Sequence, residues 1–440
     1  IALNSVQKYK GRDVDPETVG RELNVGAVVL GRVVHRADAL SVRTELIDAR
    51  DRSQMWGETY NATLSDLPTV QQEIADKISR SLHLPVNDAD AGRASRQETA
   101  NVEAYRLYLK GRYFWNKYTE DGWKQALKYF GQAIELDPNY ALAWAGLADS
   151  YYQLSSLVLV PGEAIPAARA AAARALAIDD RVAEAHASLG MIKGQYDWDP
   201  RAAEKEFKRA IDLNPSYATA HQWYGMHLYA NGSFETALGE LTKAQQLDPL
   251  SMFVSVTAVW PLLHLGRDDE AIRQLERIIE LFPNVPDVVA YLHEVRGQVH
   301  MRNRRYDEAI AEFVHGFRTQ MLCGDGPEPI ERLLSAYHSG GLDGYWHTQL
   351  ELAVAWYQQQ VKDARAQSVL RYVSPFRLAE LYARLGDTER AFELLADAFK
   401  NRDENMRWLK VESLLVDSPW QSLRPDPRFA EMIRGVGLDE

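Results

Sequence analysis

Along most of the chain, apolar residues fall three and four positions apart in short runs closed by polar turns, the pattern of amphipathic helices. Between Ala218 and Pro283 one such pattern is written twice in a single register. Ala237, Leu241, Ala244 and Pro249 return 34 residues later as Ala271, Leu275, Ile278 and Pro283. Looser copies run from Ala104 to about Lys400. A helix pair with one apolar stripe cannot bury it alone and must stack on neighbours, so this stretch predicts a solenoid.

Period and pattern together resemble the tetratricopeptide repeat, a helix–turn–helix unit. In the first copy Gly111 and Phe114 hold the small and aromatic positions of helix A, and Ala126, Phe130, Ala133 and Pro138 mark helix B. Trp144, Leu147, Ala148 and Tyr151 open the second, which reaches Ala168, Ala172 and Ala175 after an insertion through Pro161 and Pro166. Leu189, Gly190, Ala203, Phe207, Ala210 and Pro215 form the third; Gly297, Ala309 and Phe313 mark the sixth. The stretch 327–366 is degenerate and is expected to hold one or two unusual helix pairs. Leu378, Ala379, Tyr382, Ala391, Leu395 and Ala398 restore the pattern. Small residues belong where helices cross closely, and Pro after Leu-Asp or Leu-Asn stops helix B.

Before the repeats the pattern changes. Asp15, Pro16 and Glu17 announce a helix to about Leu23. Residues 27–34, 40–47 and 54–63 are β-rich or alternating, with connections short enough for antiparallel hairpins. Ser65 and Asp66 are expected to cap a helix carrying Leu67, Val70, Ile74, Ile78 and Leu82. The fold class is therefore mainly α: a right-handed superhelix, or α-solenoid, preceded by a small, truncated α+β domain. The divisions are 1–82 for the α+β unit, 83–98 for a linker, 99–404 for the solenoid and 405–440 for a helical cap.

Composition narrows the function. The net charge of -12 and the lack of a Lys/Arg cluster argue against direct nucleic-acid binding. Lys8, Lys10 and Arg12 are followed at once by Asp13 and Asp15. Cys323 is the single cysteine, which excludes intrachain disulfides. No run approaches the roughly 18 apolar residues of a membrane span. The chain starts at Ile1, as expected of a fragment, so an anchor upstream would leave this region cytoplasmic or membrane-tethered on either side.

No catalytic signature is present, and no cofactor or metal is expected. Gly340, Gly341 and Gly344 lack the Lys of a phosphate loop, and His293 and His300 are too far apart for a zincin helix. His186, His221 and His293 fall where helix A carries its large aromatic, which favours packing over metal ligation. Trp198, between Asp197 and Asp199, reads as a packed turn aromatic.

Binding is better supported than chemistry. In this repeat helix A lines the concave face, and its inward steps select Tyr105, Tyr108, Arg112, Trp115, Asp149, Tyr152, Met191, Gln222, Met226, Tyr229, Trp260, Tyr291, Glu294 and Gln298. Aromatics, Met and Arg are enriched at interfaces, so these residues form a candidate groove for a protein or peptide partner. Some of them could instead close the superhelix on itself. Replacing Tyr152 and Tyr229 by Ala is expected to abolish capture without unfolding the protein.

Both halves together resemble a known arrangement. Residues 27–34 (AVVLGRVV), 45–49 (ELIDA), 54–60 (QMWGETY) and 67–78 are similar to the later part of a TolB-like (FlgO-like) domain. Residues 103–116 (EAYRLYLKGRYFWN), 141–151 (ALAWAGLADSY) and 372–429 resemble the repeat array that follows that domain in many bacterial proteins. The resemblance implies an interaction or sensory region within a larger signalling protein. Upstream modules in that group include Ser/Thr protein kinases, winged-helix regulators and nucleotide cyclases. Residues 111–117 (GRYFWNK) look most like the kinase-fused members.

Overall fold

The computed structural model describes residues 6, 9, 11–12, 14–36, 39–63, 66–82, 99–155, 159–282, 285–321, 328–366, 373–414 and 418–438. Ser65, Pro283, Cys323 and the linker at 83–98 lie outside them.

Helix α1 (Pro16–Leu23) begins where the Asp15 carboxylate accepts from the Thr18 N–H, and it ends at Asn24 in the left-handed region. Strands β1 (Ala27–Arg36), β2 (Ala39–Asp48) and β3 (Gln54–Thr63) form an antiparallel meander in the order β1-β2-β3. Ala27 pairs with Asp48, and a bulge interrupts the β2–β3 register between Leu46 and Ile47. On β2 every second residue from Leu40 is buried, the alternation of a sheet with one covered face.

Helix α2 (Leu67–Ser81) supplies that cover, packing Val70 on Val42 and Tyr60. Its start differs from expectation. The Asp66 carboxylate accepts from the Thr63 N–H and hydroxyl, so it closes the end of β3 and leaves α2 without a side-chain cap. Val19, Leu23, Val28 and Ala49 pack against Leu250, with Leu281 and Phe282 beside them, docking the α+β unit on the solenoid.

The solenoid runs as antiparallel pairs: α3 (Val102–Trp115) with α4 (Glu120–Leu136), α5 (Ala141–Ser155) with α6 (Pro161–Ile178), α7 (Ala183–Met191) with α8 (Pro200–Leu213), and α9 (Ala218–Ala230) with α10 (Phe234–Leu247). In the next repeat helix A is broken into α11 (Met252–Thr257) and α12 (Val259–His264), which face α13 (Asp268–Leu281). Then come α14 (Pro286–Arg302) with α15 (Tyr306–Met321), α16 (Glu328–Ala366), and α17 (Phe376–Arg384) with α18 (Thr388–Lys400). This is a tetratricopeptide-type superhelix.

The repeat positions explain the stacking. Ala126, Ala203, Ala237, Ala271, Ala309 and Ala391 are all fully buried on their B helices. Phe130 lies between Gly111 of its own repeat and Gly146 of the next; a Cβ at either glycine would sit 2.5–2.6 Å from the ring. Only glycine allows three helices to share one ring at that distance.

Two departures have local causes. The insertion in the second repeat is helical from Pro161, so Pro166 lies inside α6 and costs one intrahelical hydrogen bond. The degenerate stretch is one helix pair within α16, reversed at Gly341, whose φ of 62° and ψ of -150° suit glycine alone.

Beyond α18, a 3-10 turn (Glu404–Trp408), α19 (Leu409–Ser413), a second 3-10 turn (Pro419–Ser422) and α20 (Pro427–Gly435) close a core with the last repeat. That core also contains Trp198, from the turn between α7 and α8. The Trp198 ring packs 4.7 Å from Phe399, and the Arg402 guanidinium lies over it at 4.1 Å. The expectation of a packed turn aromatic was thus correct, but the packing partner comes from two hundred residues away.

Candidate interaction face

Helix A of each repeat turns one side inward because its other sides are occupied by helix B and the adjacent repeat. The fourteen inward residues do not share one environment. Tyr105 is half-buried at the amino-terminal end, where its hydroxyl donates to Gln71 Oε1 at 2.9 Å and ties α3 to α2. Tyr108 sits between repeats, against Phe130 and Tyr140.

Trp115, Asp149, Tyr152, Met191, Gln222 and Tyr229 are buried, each 6% exposed or less. The expectation of an open groove fails for these six in this conformation because rings meet across the superhelix. Trp115 and Tyr152 both contact Trp223, at 6.4 and 5.9 Å between centroids. Met226 packs half-buried against the same cluster. Tyr118 stacks on Phe253 at 5.0 Å, bringing the first repeat onto the fifth.

A polar seam runs through this sealed face. Arg112 lies 4.7 Å over Trp115 and 3.4 Å from Asp149, which also accepts from the Ser188 hydroxyl. Burial pushes the Asp149 carboxyl up to about 7, against the pull of Arg112. Neither amide atom of Gln222 has a hydrogen-bond partner.

The carboxy-terminal segment completes the seal. Trp408 packs 5.7 Å from Tyr229, and His264 Nε2 lies 3.0 Å from the Val411 carbonyl. Arg407 donates to Asn231 Oδ1 at 2.9 Å and to the Val436 carbonyl at 2.7 Å. Beneath it, burial and the Arg407 charge hold the His227 imidazole down at about 4. Tyr152 and Tyr229 are therefore core residues, and replacing them by Ala is expected to destabilise the fold as well as to alter the face.

The remaining positions lead to a different place. Tyr291 packs 5.2 Å from Trp260. Trp260, Glu294 and Gln298 converge on a cavity of about 180 Å³ between α14, α16, α17 and α19. Its other walls include Phe313, a helix-B position of the sixth repeat, and Trp346, Arg377, Glu380, Arg384 and Glu412, which the repeat register does not select. Among the described residues no cluster could hold a metal ion, and no helix is long and apolar enough to cross a membrane.

The three histidines flagged in the sequence join helix A to helix B. Nδ1 of His186, His221 and His293 lies 2.6 Å from Glu206, Glu240 and Glu312 respectively. Nε2 of His186 and of His221 meets a carbonyl six residues back, as the Trp144 indole N–H does in the second repeat. The hydrogen bond from His186, with Lys193 adding to it, holds Glu206 at about 2 despite partial burial.

The tetratricopeptide repeat family model matches residues 116–159, 199–251 and 262–314, so the chain carries tetratricopeptide repeats. A Rhizobium meliloti (strain 1021) protein designated a candidate adenylate cyclase is 30% identical over 148 residues, which is 34% of this chain and 25% of that protein. The transcriptional regulator HilA of Salmonella typhimurium (strain LT2) is 29% identical over 174 residues, 39% of this chain and 31% of the regulator. The chain thus spans about a quarter to a third of the length of these relatives. A solved structure of Pseudomonas aeruginosa PilF aligns with 52% of this chain and 98% of its own, at 22% identity and a TM-score of 0.36.

Proposed function

We propose that this chain is a non-catalytic interaction region that holds a protein or peptide partner on the inner face of its repeats. The observation that carries the reading is the cavity, where three inward helix-A positions meet the last repeat across the superhelix. Stacked helix pairs present long concave surfaces and position side chains for contact rather than for bond chemistry.

The region serves a larger signalling protein, as the interaction arm beside a TolB-like unit. The limited share of each relative that is matched supports this, since a cyclase and a transcriptional regulator each contain much more than the aligned segment. Regulation of a Ser/Thr kinase module is the favoured parent activity, on the wording of residues 111–117. A winged-helix parent is the alternative, and the likeness to HilA is the observation that favours it.

The test is selection of displayed random peptides on the folded chain, followed by hydrogen exchange with and without the selected peptide. Protection should centre on α14, α17 and α19. Selection of no peptide, or protection confined to the outer B helices, would overturn the reading. Phosphoryl transfer from ATP by the isolated chain would overturn its non-catalytic part.

A further inference from the structure

The cavity at Glu294 is lined by both aromatic surface and charge, and its charges are unevenly satisfied. Arg302 is committed to Asp268 and the Leu263 carbonyl. Arg377 pairs with Glu380 at 3.0 Å, and Arg384 covers one face of Trp346 at 4.5 Å. Two carboxylates keep spare capacity. Glu294 receives only a 3.5 Å contact from Gln298, and Glu412 receives the Trp420 indole N–H at 3.0 Å.

Glu294 comes from α14 and Glu412 from α19, so two separate elements aim acceptors into one space walled by Trp260 and Phe313. We propose that this cavity receives one arginine side chain of a partner peptide, its guanidinium shared between Glu294 and Glu412. The inference rests on the peptide-binding reading above.

Size, shape and charge agree. A volume of 180 Å³ exceeds the roughly 150 Å³ that houses a benzene ring, and falls short of the roughly 300 Å³ at which ligand pockets begin. One side chain fits where a whole small-molecule ligand does not. A planar, weakly hydrated guanidinium suits flat indole and phenyl walls better than a compact ammonium does. It also presents a fork of donors to carboxylates on different sides.

Desolvation by the surrounding walls raises the carboxyls of Glu412 and of Glu294, although Glu294 is exposed at the surface. Glu380 raises both further, Arg377 pulls both down, and Glu412 is raised in addition by the charge of Glu294. Arg302 of α14 and Arg384 of α17 are the remaining charged groups in the walls. An entering cation lowers both carboxyls and releases protons, so affinity should climb as pH rises above the ordinary carboxylate range.

The experiment uses the 440-residue chain and peptides selected on it from a random displayed library, resynthesised with arginine, lysine or citrulline at the enriched basic position. Citrulline keeps the shape and removes the charge. Glu294→Gln and Glu412→Gln are measured in parallel; in the latter the amide oxygen replaces a carboxylate oxygen as acceptor for the Trp420 indole N–H, so the wall is kept. The expected result is a loss of roughly tenfold or more for citrulline and for either variant, with an unchanged melting midpoint.

Selected peptides that lack a basic residue, or bind equally with citrulline, would sink the arginine cavity and leave the peptide reading standing. Free L-arginine binding as tightly as the peptide would also overturn it, by making the guest a free amino acid. If no peptide is selected at all, both readings fall.

Discussion

The inner face has two halves built from the same repeat positions with opposite outcomes. Across α3 to α11 those positions carry Trp115, Tyr152 and Tyr229, and the superhelix closes on them. Across α14 to α19 they carry Glu294 and Gln298, and a cavity remains. Burying rings returns about 25 cal/mol per Å² of apolar surface, whereas drying a carboxylate costs free energy unless a partner meets it. In the first half the rings at this register bury enough apolar surface to enclose Asp149 and Gln222 with them, whereas at the second half Trp260 and Tyr291 leave Glu294 and Gln298 at an open cavity.

The largest break in that comparison should come from Trp223→Ala. Trp223 is 1% exposed and touches both Trp115 and Tyr152, so its loss should cost about 3–5 kcal/mol in denaturant unfolding. Ala237→Trp tests the repeat register itself: a fully buried crossing residue enlarged this way should cost about 1–3 kcal/mol or more, and an unchanged melting midpoint would sink the alignment.

Next comes the seal made by the carboxy-terminal segment. A Cβ on Gly437 would lie 2.2 Å from the Trp198 carbonyl, at a φ of 71°. Gly437→Ala should loosen the cap by roughly 1–3 kcal/mol. Hydrogen exchange should then rise in α19 and α20 while α9 and α10 keep their protection. Uniform destabilisation would contradict a separable cap.

A titration sharpens the contrast further, because the sealed face holds two buried groups of opposite sign. Asp149 is raised from 3.8 to about 7, so its contribution is complete below about pH 4 and is lost as pH rises to 7. His227 is lowered from 6.5 to about 4, so its contribution is present above 6.5 and is lost on acidification toward 4. The two offset each other in the native chain. Asp149→Asn should make the melting midpoint climb with pH between 4 and 7, and His227→Gln should make it fall. Parallel profiles for the two variants would refute the assignment.

The smallest effect is expected on the outer surface. Arg267 and Glu270 form an exposed pair on the solvent side, and Arg267→Ala should leave the melting midpoint unchanged within error.

Much of the fold was legible because repeats make local statements. The step from Ala237, Leu241 and Ala244 to Ala271, Leu275 and Ile278 marks six residues that are all nearly or fully buried. The three strands and their hairpins also fall where alternation puts them. The closure was not legible, since Tyr118 on Phe253 or Arg407 on Asn231 joins positions with no periodic relation. The site was therefore half visible. Register pointed to Trp260, Glu294 and Gln298, but nothing in it pointed to Glu412 or Arg377 on the opposite wall.

The bonds from Arg407 to Asn231 and from His264 to Val411 also impose an order of assembly. Each helix pair can form against its immediate neighbour soon after it is made, with little loop entropy to overcome. Contacts that span 147–176 residues must wait for the segment from Glu404 to Leu438 to leave the ribosome. Until then Tyr229 and Trp198 lack their covers, so the newborn chain passes through a stage at which the segment from Glu404 to Leu438 competes with anything else that could occupy the face.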